Sequence, residues 1–158
     1  MNATHSYQLT LRWTGNCGSG TDSYRSYGRD HELTAAGKLP ILGSADPAFR
    51  GDLDRWNPEE LLVASLSQCH LLWFLHLAAT AGVVVLDYTD EPIGTMLENP
   101  DGSGQFSQVL LQPRVTVAAP AMCEPAQALH DRVDELCFIA RSVNFPVRHQ
   151  PSVRAVSD

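Results

Sequence analysis

The chain has 158 residues, 44% of them hydrophobic and 18% charged. That is enough for one compact domain with a real core, residues 1–158, too little for two ordinary ones, and far from a composition that stays disordered. A formal net charge of −7 without any run of Lys or Arg argues against nucleic acid or an anionic membrane as partner, because both reward clustered positive charge, and leaves small molecules as the expected ligands.

The N-terminal third alternates and turns. Residues 7–13 read as a strand, 16–20 as a turn and 23–33 as a second strand, with a third short strand around Ile41. Residues 43–54, GSADPAFRGDLD, are rich in turn formers and predict a surface loop. A helix follows. Asn57 offers an N-cap, Pro58 takes the first helical position and Glu60 the third, three independent preferences for a helix start.

From Leu61 to Leu86 no residue is charged, a length that raises the question of a membrane span. Ser65, Ser67, Gln68, His70 and His76 would be costly in hydrocarbon and the flanks are acidic, so a membrane span is not expected. Gly82 ends the helix. A helix apolar all round must be buried all round, which a small monomer cannot arrange, so the long central helix predicts an obligate dimer. Strands are expected near 83–88, 93–97 and 106–117, the last two joined by the hairpin loop 99–104, NPDGSG, as a β-meander. A second helix is expected over about 125–140, with Leu129, Val133, Leu136 and Ala140 at helical spacing. The tail carries two prolines and one short strand at 153–156.

Four cysteines stand at 17, 69, 123 and 137. No C-x-x-C pair and none of the short spacings of a zinc site occur, so no metal is expected. The N-terminus has no export signal, which predicts a cytosolic protein. Thiols there are kept reduced, and a cytosolic disulfide is usually transient and catalytic. Cys69 falls mid-helix. Buried cysteine is commonly just a small core hydrophobe; a reactive one needs a nearby cation or a helix N-terminus to hold it as thiolate, and Cys69 is too far along its helix for the second. His70 points about 100° away around the helix and His76 stands roughly 10 Å up the axis, so neither activates Cys69, and both read as structural residues hydrogen-bonded at a dimer core.

The string NPEELLVASLSQCHLLWFLHLAATAGV, followed by DELCFIARSVNFPV, resembles the OsmC/Ohr family of osmotically inducible and organic hydroperoxide resistance proteins. The resemblance runs from about residue 25 to residue 157. It rests on the NPE helix start, a cysteine ten residues after Glu59 and a second cysteine in the last long helix. It implies an α+β fold with N-terminal strands, a long buried central helix, a meander and a second helix, assembled as an intertwined homodimer without metal, haem, flavin or other cofactor. It also implies a peroxidase, with Cys69 as the peroxidatic cysteine, Cys137 as the resolving one, an organic hydroperoxide as substrate and an external dithiol as reductant. The activating cation would be Arg29, or Arg25 where the match is loose, oriented by Glu59. Gln68 and His70 around the first cysteine, and Phe138-Ile139 after the second, depart from the better-known members and mark a divergent subgroup. Trp56, Leu62, Leu66 and Trp73, with Phe74, are candidates for an apolar substrate pocket. Cys17 and Cys123 match nothing in the pattern.

Overall fold

The computed structural model describes residues 3–156, which form two compact units that divide between Leu61 and Leu62. In the first, β1 (Thr10–Trp13), β2 (His31–Thr34) and β3 (Ile41–Gly43) make an antiparallel sheet in that order. The second strand is far shorter than the sequence suggests, because residues around Ser23–Ser26 close a turn instead: Ser26 Oγ donates to the Gly20 and Ser23 carbonyls. The loop after β3 is ordered by Asp46, which caps a single 3-10 turn over Pro47–Phe49. Among the described residues no aliphatic or aromatic side chain of this unit is fully buried. Tyr7, Leu9, Leu11, Trp13, Ile41, Leu42 and Leu53 are all exposed.

Helix α1 (Pro58–Thr80) begins as the sequence dictates. Asn57 Oδ1 accepts from the Glu60 amide at 2.8 Å and Glu60 Oε2 accepts from the Asn57 amide at 3.2 Å, a reciprocal capping box. It ends at Gly82, whose φ of +72° lets Val83 N reach back to the Ala78 carbonyl and Gly82 N to that of Ala79, the Schellman closure. Its buried residues are Leu66, His70, Phe74, Leu77 and Ala78, a single stripe at helical spacing. Within one chain the helix is therefore covered on one face only, whereas uniform apolarity predicted burial all round; Leu72 and Leu75 are exposed. By length and apolarity α1 meets the requirement for a membrane span, yet its stripe is built into the protein core.

The second unit continues with β4 (Val85–Thr89), β5 (Ile93–Glu98), β6 (Gly104–Leu111), β7 (Arg114–Val117), α2 (Cys123–Leu136), β8 (Val147–His149) and β9 (Ser152–Ala155). The expected meander takes a bent form. Residues 106–117, read as one strand, are two, because Pro113 cannot donate to a ladder and Gln112 turns its amide to Asp90 Oδ1 at 2.7 Å. β5 pairs with β6 and β4 with β7, antiparallel, while β8 and β9 add in parallel to β6 and β7. Two three-stranded sheets result, β4-β7-β9 and β5-β6-β8, and the tail contributes two strands where one was expected.

The larger core joins Phe74, Leu77 and Ala78 of α1, Ala126, Leu129 and Val133 of α2, Val115 and Val117 of β7, and Cys137. A smaller cluster holds Leu66, Val109 and Leu111. α2 is shorter than expected and stops at Leu136, so Cys137 caps the helix in extended conformation rather than lying within it. A 3-10 turn at Ala140–Ser142 follows.

Candidate active site

Cys69 lies on α1 at the edge of the larger core and Cys137 is buried inside it, both as free thiols. The Cys137 sulfur accepts from the Ala140 amide at 3.4 Å. Burial first, and then hydrogen bonding to the Cys69 side chain, push the Cys137 thiol up to about 11. Cys69 packs against the core cluster that contains Cys137, and Cys137 is held protonated at neutral pH.

On its outer side Cys69 opens into a groove of about 330 Å³ lined also by Leu72, Trp73, His76 and Phe138. Cys69, Leu72, Trp73 and His76 stand at i, i+3, i+4 and i+7, so the helix itself places them on one face. Trp73 meets the His76 ring edge-on at 5.7 Å and the Phe138 ring at 5.6 Å. The arrangement sets one thiol at the foot of an apolar cleft and a second thiol behind it, which suits attack on an apolar substrate followed by sulfur–sulfur bond formation.

A second cluster lies inside the fold. His70 Nε2 is 2.9 Å from His130 Nδ1 with the rings stacked, and His130 stacks in turn on Phe74. His149 of β8 approaches both rings and meets Asp131 at 3.2 Å and Asp134 at 3.3 Å. Burial holds His70 down near 4 and His130 near 3. His130 Nε2 is buried without a partner. Among the described residues no group of three or more His, Cys, Asp or Glu is arranged to hold a metal ion.

In the first unit Arg29 is engaged by its neighbours along the chain. Its guanidinium donates to the carbonyls of Tyr27 and Tyr24 and lies over both tyrosine rings, 4.2 and 4.4 Å from their centroids. Arg55 instead pairs with Asp30 at 3.3 Å and with Asp52 at 3.8 Å, and Ser44 Oγ donates to the Asp30 carboxylate. Among the described residues neither Arg29 nor Glu59 forms a salt bridge.

The OsmC-like protein family model matches residues 51–152, the stretch that carries Cys69 and Cys137. The chain belongs to the OsmC-like family. No curated protein matches it. Among solved structures it is similar to an OsmC-like protein of unknown function from Vibrio cholerae, at 29% identity and a TM-score of 0.83 over 94% of this chain and 99% of that one. Two more distant structures share the fold: an organic hydroperoxide resistance protein from Elizabethkingia anophelis, at 16% identity and a TM-score of 0.70 over 99% and 100% of the chains, and the organic hydroperoxide resistance protein OhrB of Bacillus subtilis, at 20% and 0.63 over 96% and 100%.

Within this OsmC-like chain the residues singled out from sequence are distributed unevenly. Cys69, Cys137 and Trp73 come together. Leu66 does not face the groove but is fully buried beside Val109 and Leu111; Leu62 is half-buried and Trp56 is half-exposed in the first unit. Arg29 and Glu59 are not joined. His70 finds its hydrogen bond within its own chain, to His130, and His76 stands exposed in the groove. Leu72 and Phe138 were missed as lining residues. The signal for Leu72 was its i+3 spacing from Cys69; for Phe138 it was adjacency to Cys137.

Proposed function

We propose that this chain is a cytosolic thiol peroxidase that reduces organic hydroperoxides, and less readily hydrogen peroxide. The single observation that carries the reading is the placement of Cys69 at the foot of an apolar groove and against the core cluster in which Cys137 is buried. The Cys69 thiolate attacks the outer peroxide oxygen and the O–O bond breaks. The sulfur is oxidised to a sulfenic acid, and the remaining oxygen leaves with a proton as an alcohol, or as water when the substrate is hydrogen peroxide. The Cys137 thiol then displaces the sulfenic hydroxyl as water, and a disulfide forms. An external dithiol reduces it by exchange and is itself oxidised to a disulfide. No cofactor takes part. Arg29 is assigned as the cation that favours the thiolate, by resemblance to the family; the same resemblance gives Glu59 the role of orienting it, whereas within this chain the Tyr24 and Tyr27 carbonyls hold Arg29.

The working form is proposed to be an intertwined homodimer. A three-stranded sheet with Leu9, Leu11, Trp13, Ile41 and Leu42 exposed, and a helix with Leu72 and Leu75 uncovered, present more apolar surface than a monomer usually leaves in water. Sedimentation at twice the chain mass of 17.3 kDa is expected, and a stable monomer at micromolar concentration rejects the dimer.

The test of the peroxidase is peptide mass spectrometry of the reduced protein before and after one equivalent of cumene hydroperoxide. A loss of two hydrogens mapped to a Cys69–Cys137 linkage is the expected result; unmodified thiols overturn it. A second reading, a non-catalytic dimer that binds an apolar small molecule in the same groove, draws on the engagement of Arg29 by Tyr24 and Tyr27. It predicts those unmodified thiols.

A further inference from the structure

At Cys137 the backbone leaves the helix for an extended step, φ −65° and ψ 108°. Successive side chains of an extended chain point to opposite sides. Cys137 accordingly goes inward, 2% exposed, and Phe138 goes outward, 69% exposed, into the wall of the Cys69 groove. Its ring stands edge-on to Trp73, 5.6 Å between centroids with the planes at 75°. Phe138 belongs to neither core cluster. A large aromatic ring left this exposed gains by burial against a ligand, and aromatic pairs add an oriented contribution.

We propose that Phe138 is the specificity-determining residue of the groove and that it selects hydroperoxides bearing an aromatic or bulky branched group next to the O–O bond. The inference rests on the peroxidase reading. With the outer peroxide oxygen at the Cys69 sulfur, the carbon on the inner oxygen is left in the groove that Trp73 and Phe138 line, within reach of the two facing rings. Hydrogen peroxide has no carbon to place there and gains nothing from either ring. Discrimination therefore resides in contacts that only the organic substrate makes, the general way in which an apolar pocket separates two substrates of the same chemistry.

The test compares kcat/KM for cumene hydroperoxide and hydrogen peroxide in the full-length protein and in Phe138→Ala and Phe138→Tyr. Phe138 is exposed, so truncation opens no core cavity. The expected result is about a tenfold loss for cumene hydroperoxide in Phe138→Ala, carried mainly by KM, a change within about twofold for hydrogen peroxide, and recovery in Phe138→Tyr. Equal losses for both peroxides, or none for either, overturn the proposal. Titration of Cys69→Ser protein with cumyl alcohol, the product, separates this from failure of the peroxidase reading. If the wild type consumes neither peroxide that reading falls, while binding weakened about tenfold by adding Phe138→Ala still supports the role of the ring, and unchanged affinity or no binding overturns it.

Discussion

His70 Nε2 and His130 Nδ1 face each other at 2.9 Å between stacked rings, so one ring donates the proton that the other accepts. An imidazolium has donors on both nitrogens, and protonating the accepting ring removes the acceptor. Burial lowers His70 to about 4 and His130 to about 3, with His149 adding to both and Asp131 opposing at His130. The folded pKa values lie below the unfolded one, near 6.5. The unfolded chain therefore binds more protons between these values, and stability rises with pH through that window. The contribution is complete above about pH 6.5 and is lost as pH falls towards 4 and 3, about 1.4 kcal/mol for each unit of depression. The urea midpoint is expected to fall between pH 7 and pH 4.5, and to fall less in His130→Asn. A midpoint constant across that range contradicts the neutral pair.

The cysteine pair predicts an order of reactivity. Cys69 lines an open groove, while Cys137 is 2% exposed and pushed up to about 11. Iodoacetamide at pH 7.5 is expected to label Cys69 first and Cys137 only after unfolding or at strongly alkaline pH. Replacing Cys137 with Ser leaves the first oxidation step intact, so dimedone should trap a sulfenic acid on Cys69 that the wild type passes on to a disulfide. Equal labelling of the two thiols in the native protein rejects this order.

Arg29 offers a sharper test than its place in a family pattern. Its guanidinium is held by two carbonyls and two rings, so its own position is well determined. If it is the cation that favours the Cys69 thiolate, Arg29→Ala lowers the alkylation rate of Cys69 at pH 7 by about tenfold or more. An unchanged rate removes Arg29 from the mechanism and turns attention to Arg25.

At the start of α1, Asn57 and Glu60 satisfy each other's amides. Asn57→Ala is expected to cost about 1 kcal/mol in chemical denaturation. Glu59, which forms no salt bridge among the described residues, is expected to change stability by no more than about 0.5 kcal/mol when replaced by Gln. A larger loss at Glu59 than at Asn57 reverses this assignment.

What was legible in the sequence was what local chemistry decides. Asn57, Pro58 and Glu60 announced the start of α1, Gly82 its end, and the NPDGSG run its hairpin. What was not legible depends on partners distant along the chain. Within residues 106–117 Pro113 signals a break in the strand, but nothing there says that Asp90 will take the Gln112 amide. Nothing beside His70 points to His130, 60 positions on, whose ring completes its hydrogen bond. The groove was half legible: helical spacing groups Trp73 with Cys69, but Leu66, equally apolar and one turn before Cys69, turns to the core because the i, i+4, i+8 stripe of Leu66, His70 and Phe74 is the buried one. Phe138 depends on the helix stopping at Leu136, a boundary that the apolar periodicity overran.

The parallel pairing of β8 with β6 and of β9 with β7 sets a timetable for the polypeptide during its own synthesis. Val109 must await Val147, and Arg114 must await Ser152, so each sheet of the second unit remains one strand short until residues 147–155 have left the ribosome. His149 arrives with the same strands, and only then can it meet Asp131 and Asp134. Such non-local closure is slow relative to helix formation. A nascent chain stalled before Val147 would carry a formed α1 with two open sheet edges, the state in which this protein most needs a chaperone.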